Sequence, residues 1–258
     1  EHLEQISIMY VPYIHGHAES TNGLLWVVGR DPDLYDYFLP ERWRKTPFEK
    51  LSEDNEVFYT FTKDSIHLVW KTSRVGEFLE HYESIEAENI IRERGVNSPF
   101  EEFAIAHFLN GHGVPTVYIR AIYMTGSENM TTIVDKRRFK THTSYKAIDN
   151  KPILRENRNY ITIRGYFNGP DSWVASHDDR ALYHPKSLYR AIKDGVIGFE
   201  DGKRLFLRTI DKIKNIGYDG SLLRYNDILI AIHENNGILT DHEGLPETHI
   251  CDFELIYR

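Results

Sequence analysis

Val57-Phe58-Tyr59-Thr60-Phe61, then Lys63-Asp64-Ser65, then Ile66-His67-Leu68-Val69-Trp70-Lys71-Thr72 is the stretch from which the chain is best read. Two runs of β-branched and aromatic residues flank a short polar turn, and this predicts an antiparallel hairpin. Side chains alternate between the two faces of a strand, so Lys71 shares a face with Val69 and opposes Trp70. A lysine at the end of such a run either reaches solvent or meets an anion.

Downstream, residues 77–94 are acidic and helix-prone, and Gly95 closes them. Ser98, Pro99 and Glu101 then form a capping-box signature: a hydroxyl at the N-cap, proline at the first helical position, and glutamate three residues on. The helix this predicts runs from Pro99 to about Asn110 and stops at Gly111, with Phe100, Phe103, Ala104, Ala106, Phe108 and Leu109 around one broad apolar face. Val114 to Met124 reads as a strand. So does Tyr160 to Phe167, ended by Asn168-Gly169-Pro170. Residues 186–194 and 202–216 look helical; in the second, Leu205, Leu207, Ile210, Ile213 and Ile216 recur at roughly helical spacing. Asp227 to Ile232 and Thr248 to Phe253 are short apolar strands joined by a long polar loop. Upstream, Leu24 to Val28 is a buried strand, with Pro32 and Pro40 as punctuation. The order is α+β: a mostly antiparallel sheet with one helix packed on it, followed by helices.

Composition bounds the function classes. With 41% hydrophobic and 13% aromatic residues in 258, the chain has ample material for a core and is not disordered. A formal charge of −8 excludes a generally basic nucleic-acid binder and leaves room only for a local basic patch. The single cysteine, Cys251, can form neither an internal disulfide nor a paired-thiolate zinc site, which points to a reducing, cytoplasmic setting. No apolar run approaches the ~20 residues of a membrane span. Glu1 opens the chain with no basic leader, as expected of a trimmed chain without a secretory signal.

Several residues carry potential chemistry. Glu102, on the capped helix, is a carboxylate that could face Lys71. Taken alone, the two are ordinary exposed charges. Asp227 precedes Ile228-Leu229-Ile230, and Asp252 ends the run His249-Ile250-Cys251, so two acids lie at the mouths of two short strands. Such a pair can hold Mg²⁺ together with phosphate oxygens, although either acid could instead close a turn. His15-Gly16-His17 with Glu19 lacks helical metal-ligand spacing and reads as a polar loop. Asp241, His242, Glu243 and His249 read as solvated loop, and Lys136-Arg137-Arg138-Phe139-Lys140 as a solvated face.

The order of these elements resembles the protein-kinase-like superfamily. It is closer to its small bacterial aminoglycoside-phosphotransferase and lipopolysaccharide-core-kinase branches than to eukaryotic protein kinases. The resemblance covers about residues 50–258. It rests on Lys71 in Val69-Trp70-Lys71 and on Glu102 in Phe100-Glu101-Glu102-Phe103-Ala104. The passage Gly113-Val114-Pro115-Thr116-Val117, the hinge-like Asn168-Gly169, Asp227 before Ile228-Leu229-Ile230, and Cys251-Asp252-Phe253-Glu254 complete it. It implies a kinase-like N-lobe over 51–169, a reduced, mainly helical C-lobe over 170–258, and an N-terminal extension over 1–50. It further implies ATP and Mg²⁺ as cofactors, with Lys71 holding phosphates, Glu102 orienting Lys71, and Asp252 and Asp227 ligating metal.

The chain also departs from the pattern. With Asp227 in the place of the catalytic-loop asparagine, Leu222 falls where the base belongs, and Asp219, three residues earlier, is the nearest substitute. Leu51-Ser52-Glu53-Asp54-Asn55-Glu56 has no glycine to wrap phosphates. The chain ends at Arg258, just past D-F-E, without the family's activation segment. Two functions follow as expectations: an ATP/Mg-dependent phosphotransferase acting on an unknown hydroxyl, or a pseudokinase that binds nucleotide or a protein partner without turnover.

Overall fold

A computed structural model describes residues 2–52, 55–79, 82–168 and 183–258. The chain opens with three strands, β1 (Glu4–Ile8), β2 (Val11–Ala18) and β3 (Gly23–Val28), then a short helix, α1 (Pro40–Trp43). β4 (Phe48–Lys50) leads into the hairpin β5 (Val57–Phe61) and β6 (His67–Thr72). Two helices follow, α2 (Ile85–Arg94) and α3 (Pro99–Gly111), then β7 (Ile119–Met124), α4 (Arg137–Thr141) and β8 (Tyr160–Gly165). The last part holds β9 (Tyr183–Ser187), α5 (Leu188–Lys193), α6 (Phe199–Asn215), β10 (Ile228–His233) and β11 (His249–Ile250).

Eight strands form one antiparallel sheet in the order β1-β2-β3-β7-β8-β6-β5-β4. Residues 4–28 thus supply three strands of this sheet rather than standing apart from it. One face is covered by α3, whose Phe100 and Phe103 pack with Trp26, Ile122 and Tyr160, and by Phe139, Ile153 and Leu154. The other is covered by Tyr35, Phe38 and Trp43 against Leu25, Leu68, Tyr123 and Ile163. The capping box of α3 forms: Ser98 accepts from Glu101 N–H, and the Glu101 side chain accepts from Ser98 N–H.

On the α3 face, His15 pairs with Trp26, Trp26 with Ile122, Ile122 with Thr162, and Thr162 with Lys71. These five residues form one row across five neighbouring strands, with a polar group near each end.

The expectation of a reduced, mainly helical C-terminal half is not met. Of the described residues, 28% are helical and 28% strand, and the described part of that half is built on a second sheet, ordered β11-β10-β9. The reason lies in β9. Tyr183-His184-Pro185-Lys186-Ser187 has no apolar alternation, yet it pairs along the full length of β10 as an edge strand, where a proline is tolerated. β10 is apolar from Ile228 to Ile232 because both its faces are buried there. Leu229 and Ala231 join the cluster beneath α3, while Ile228, Ile230 and Ile232 join that of α5 and α6. The predicted strands 114–124 and 248–253 shorten to 119–124 and 249–250. The predicted helix 77–94 starts only at Ile85. From Gly169 on, the expected hinge lies outside the described residues, as do Glu53 and Asp54.

Beyond β11 the tail folds back under the start of α3. The Asn97 side-chain amide donates to the carbonyls of Phe253 (3.0 Å) and Ile256 (2.7 Å), and the Tyr257 hydroxyl to Gly95 O (2.6 Å). Gly95 has φ +73°, and a Cβ there would lie 2.7 Å from an Asp135 oxygen, so glycine is required at this turn. The basic run at α4 is not merely a solvated face. Arg137 and Arg138 donate to the last carbonyls of α2, those of Arg92, Glu93 and Arg94, which otherwise lack helical partners.

Candidate functional site

Lys71 projects from β6 toward α3 and the tail. Its Nζ donates to Asp252 Oδ2 at 3.2 Å and to Glu254 Oε2 at 3.1 Å. Arg74, just past the strand, grips the same Glu254 through Nε (3.0 Å) and Nη2. Asp252 Oδ1 accepts from Glu254 N–H at 3.0 Å, which fixes the turn that carries both acids. The pairing of Ile228 with Ile250 brings Asp227 to the same end of the small sheet, and Cys251 N–H donates to the Asp227 carbonyl at 2.9 Å. The Asp227 carboxylate accepts from Arg224 N–H at 2.8 Å.

The electrostatics follow from burial and crowding. Burial opposes the charge on Lys71, but Asp252, Glu254 and Glu102 outweigh it, so the lysine holds its proton more tightly than usual. Burial also works against the Asp252 carboxylate, yet the charge of Lys71 and the Glu254 N–H hold it below the ordinary range. Asp227 faces the Arg224 guanidinium at 3.9 Å. Burial, then the neighbouring Asp252 charge, push it up to about 7. Glu102 is buried and is pushed well above the usual carboxylate range by that burial, with Lys71 pulling the other way. Among the described residues, no ion pair within 4.0 Å joins Glu102 to Lys71. The lysine's partners are Asp252 and Glu254.

Four of the five sequence-predicted site residues therefore converge: Lys71, Glu102, Asp227 and Asp252. Asp219 does not. It is exposed, its backbone pairs with Tyr257, and its carboxylate accepts from Ser221 N–H at 2.8 Å as a turn-former. Two members were missed by sequence reading. Glu254 lay inside the quoted D-F-E motif, and Arg74 follows Lys71 by three residues. Either signal was present, but nothing in the linear sequence says that the two side chains face each other.

This cluster forms the polar end of a cavity of about 730 Å³ between α2 and the tail. Arg74, Asp227, Asp252 and Glu254 line that end; the rest is mixed, with Phe78, Tyr82, Ile90, Ile91, Leu222 and Leu255 beside Glu77, Glu83, Glu86 and Arg224. A volume of this order suits a small organic ligand. Leu222, where a base was sought, is one of these apolar lining residues.

A metal would have few protein ligands. Among the described residues, no group of three or more His, Cys, Asp or Glu side chains could hold an ion. The Asp252 charge adds to burial in raising Asp227, and a divalent cation would offset it. Two carboxylates fit a magnesium ion that arrives with phosphate oxygens and water, and do not fit a resident metal in an all-protein cage.

The remaining candidates resolve as structure. His15 lies in β2, not in a polar loop; it is fully buried and stacks on Trp26 with ring centroids 4.4 Å apart. Its Nδ1–H donates to Leu25 O at 2.8 Å, and Nε2 accepts from Ile148 N–H at 3.0 Å. These partners fix one neutral tautomer, and burial lowers its pKa to about 4. His249 is buried in β11 between Thr116 O and the Glu247 carboxylate, both at 2.9 Å. The Cys251 thiol is pushed up to about 12 by burial and is no nucleophile at neutral pH. No helix among the described residues is long and apolar enough to cross a membrane.

Comparison of the chain with protein-family models, with curated proteins and with solved structures finds no match.

Proposed function

We propose that the cavity binds the phosphates of a magnesium-bound nucleotide, ATP in the first place, and presents them to a hydroxyl-bearing acceptor. The observation that carries this reading is the meeting of Lys71 Nζ with Asp252 Oδ2 at 3.2 Å, across 181 residues of sequence, where Asp252 lines the polar end of the cavity. The resemblance to the kinase-like superfamily assigns those two residues to phosphate and metal. In this reading Lys71 and Arg74 neutralise phosphate charge, and Asp252 and Asp227 hold the magnesium. The ion would supply charge neutralisation as the phosphoryl group departs. The apolar wall from α2 would orient the acceptor and exclude water, and most of the catalysis of such a transfer comes from positioning.

A titration of Mg–ATP followed by calorimetry tests the reading. The wild type should bind, and Asp252→Ala should lose magnesium-dependent binding while remaining folded by circular dichroism. Equal affinity in the variant would remove Asp252 from the site.

A second reading, binding without turnover, is favoured by Leu222 in the apolar lining and by Asp219 turned outward. Neither residue offers a carboxylate to orient a hydroxyl. Release of ADP under single-turnover conditions supports transfer or hydrolysis. Binding with no ADP supports the module without chemistry.

A further inference from the structure

We infer that Glu254 is a built-in counter-anion that occupies the phosphate-binding cations and blocks the site until a ligand displaces it. The inference rests on the phosphate reading above. The Glu254 side chain is only 4% exposed and takes two cations: Arg74, which lines this end of the cavity, through both oxygens, and Lys71 through one. A fork of this kind is the geometry with which arginine receives a phosphate. Its backbone is pinned on both sides: its N–H donates to Asp252 Oδ1 and its carbonyl accepts from Asn97 N–H, both at 3.0 Å. The other cation of the lining, Arg224, lies 3.9 Å from both Glu83 and Asp227. With Lys71 and Arg74 balanced by Asp252 and Glu254, an entering phosphate meets no net positive charge. It gains both cations only if the Glu254 side chain swings away. The fraction of molecules in that open state then divides the intrinsic affinity.

The test measures binding of Mg–ATP and of inorganic tripolyphosphate to four proteins: wild type, Glu254→Gln, Glu254→Asp and Glu86→Gln. Glu86 is an exposed acid of the same cavity that touches neither cation, so its variant changes net charge alone. Glu254→Gln should bind both ligands roughly tenfold tighter, the equivalent of ~1.4 kcal/mol. Glu254→Asp keeps the charge and the fold but shortens the reach, and should gain severalfold. Glu86→Gln should stay within about twofold of wild type. Equal or weaker binding by both Glu254 variants, with the wild type still binding, overturns the blocking role and leaves the site reading intact. An equal gain in Glu86→Gln overturns it too, as bulk electrostatics. No binding by any of the four proteins removes the site reading, and the inference with it. If Glu254→Gln does not fold, Glu254→Asp decides alone.

Discussion

His15 and Lys71 sit in the same row of the same sheet face, four strands apart, roughly 19 Å at ordinary strand spacing. His15 is fully buried and the Lys71 side chain is 13% exposed, yet their surroundings differ in kind. Each His15 nitrogen has one backbone partner of the right type, its ring is covered by Trp26, and it carries no charge. Lys71 is charged, answers to three acids and an arginine, and bonds to Asp252 and Glu254, which line a cavity. A buried group whose bonding is complete and neutral holds a fold together. A cluster with more acids than its cations can serve, beside a cavity, is the pattern on which the proposed function rests.

The largest expected effect breaks the charged end. Lys71→Met should cost about 3–5 kcal/mol in urea unfolding, because Asp252 and Glu254 lose a cation they are buried against. A loss under about 1 kcal/mol would mean that solvent already screens the cluster, and the contrast with His15 would dissolve.

The pH dependence sharpens the comparison because the two ends carry opposite signs. His15 takes up a proton near pH 6.5 when unfolded and near 4 when folded, so the unfolded chain binds more protons in between. Its contribution of about 3 kcal/mol is full above pH 6.5 and is lost as pH falls toward 4. Asp227 behaves the other way. Its folded pKa of about 7 lies above the unfolded value near 3.9, so its favourable contribution is full below pH 4 and is lost as pH rises through 7. Relative to wild type, His15→Gln should lose the rise in stability between pH 4 and 6.5. Asp227→Asn should gain stability as pH climbs from 4 to 7. Thermal melts at unit pH steps distinguish them, and parallel profiles for all three proteins would refute both assignments.

The smallest effect concerns the residue that did not join the cluster. Asp219→Ala removes one turn contact and should cost no more than about 1 kcal/mol. Mg–ATP affinity should not change. A tenfold loss of affinity would return Asp219 to the site and the chain to the expected catalytic pattern.

Much of this was legible in residue order. The hairpin at 57–72, the capped helix from Pro99, and the face from which Lys71 projects follow from local rules of alternation and capping, and the structure has them. The polar strand β9 was not legible, because its stability comes from pairing with β10 and not from its own side chains. Nor was the burial of His15, which read as part of a polar loop because His15-Gly16-His17 lacks helical metal-ligand spacing. Strand β2 lies in the interior of the sheet, paired on both sides, and draws His15 into the core.

By itself the sequence determined which segments are strands and helices where period and caps are strong, that the chain is acidic overall, and which ionisable residues end apolar runs. Tertiary structure alone decided that Arg74 and Glu254 complete the cluster, that Glu102 stands off from Lys71, and that Asp219 turns away. The reason is range. Alternation and capping act over a few residues, whereas the Lys71–Asp252 and Arg74–Glu254 contacts close loops of about 180 residues. Their geometry is set by the tail hydrogen bonds at Asn97 and the strand register at Ile250, which no local pattern encodes.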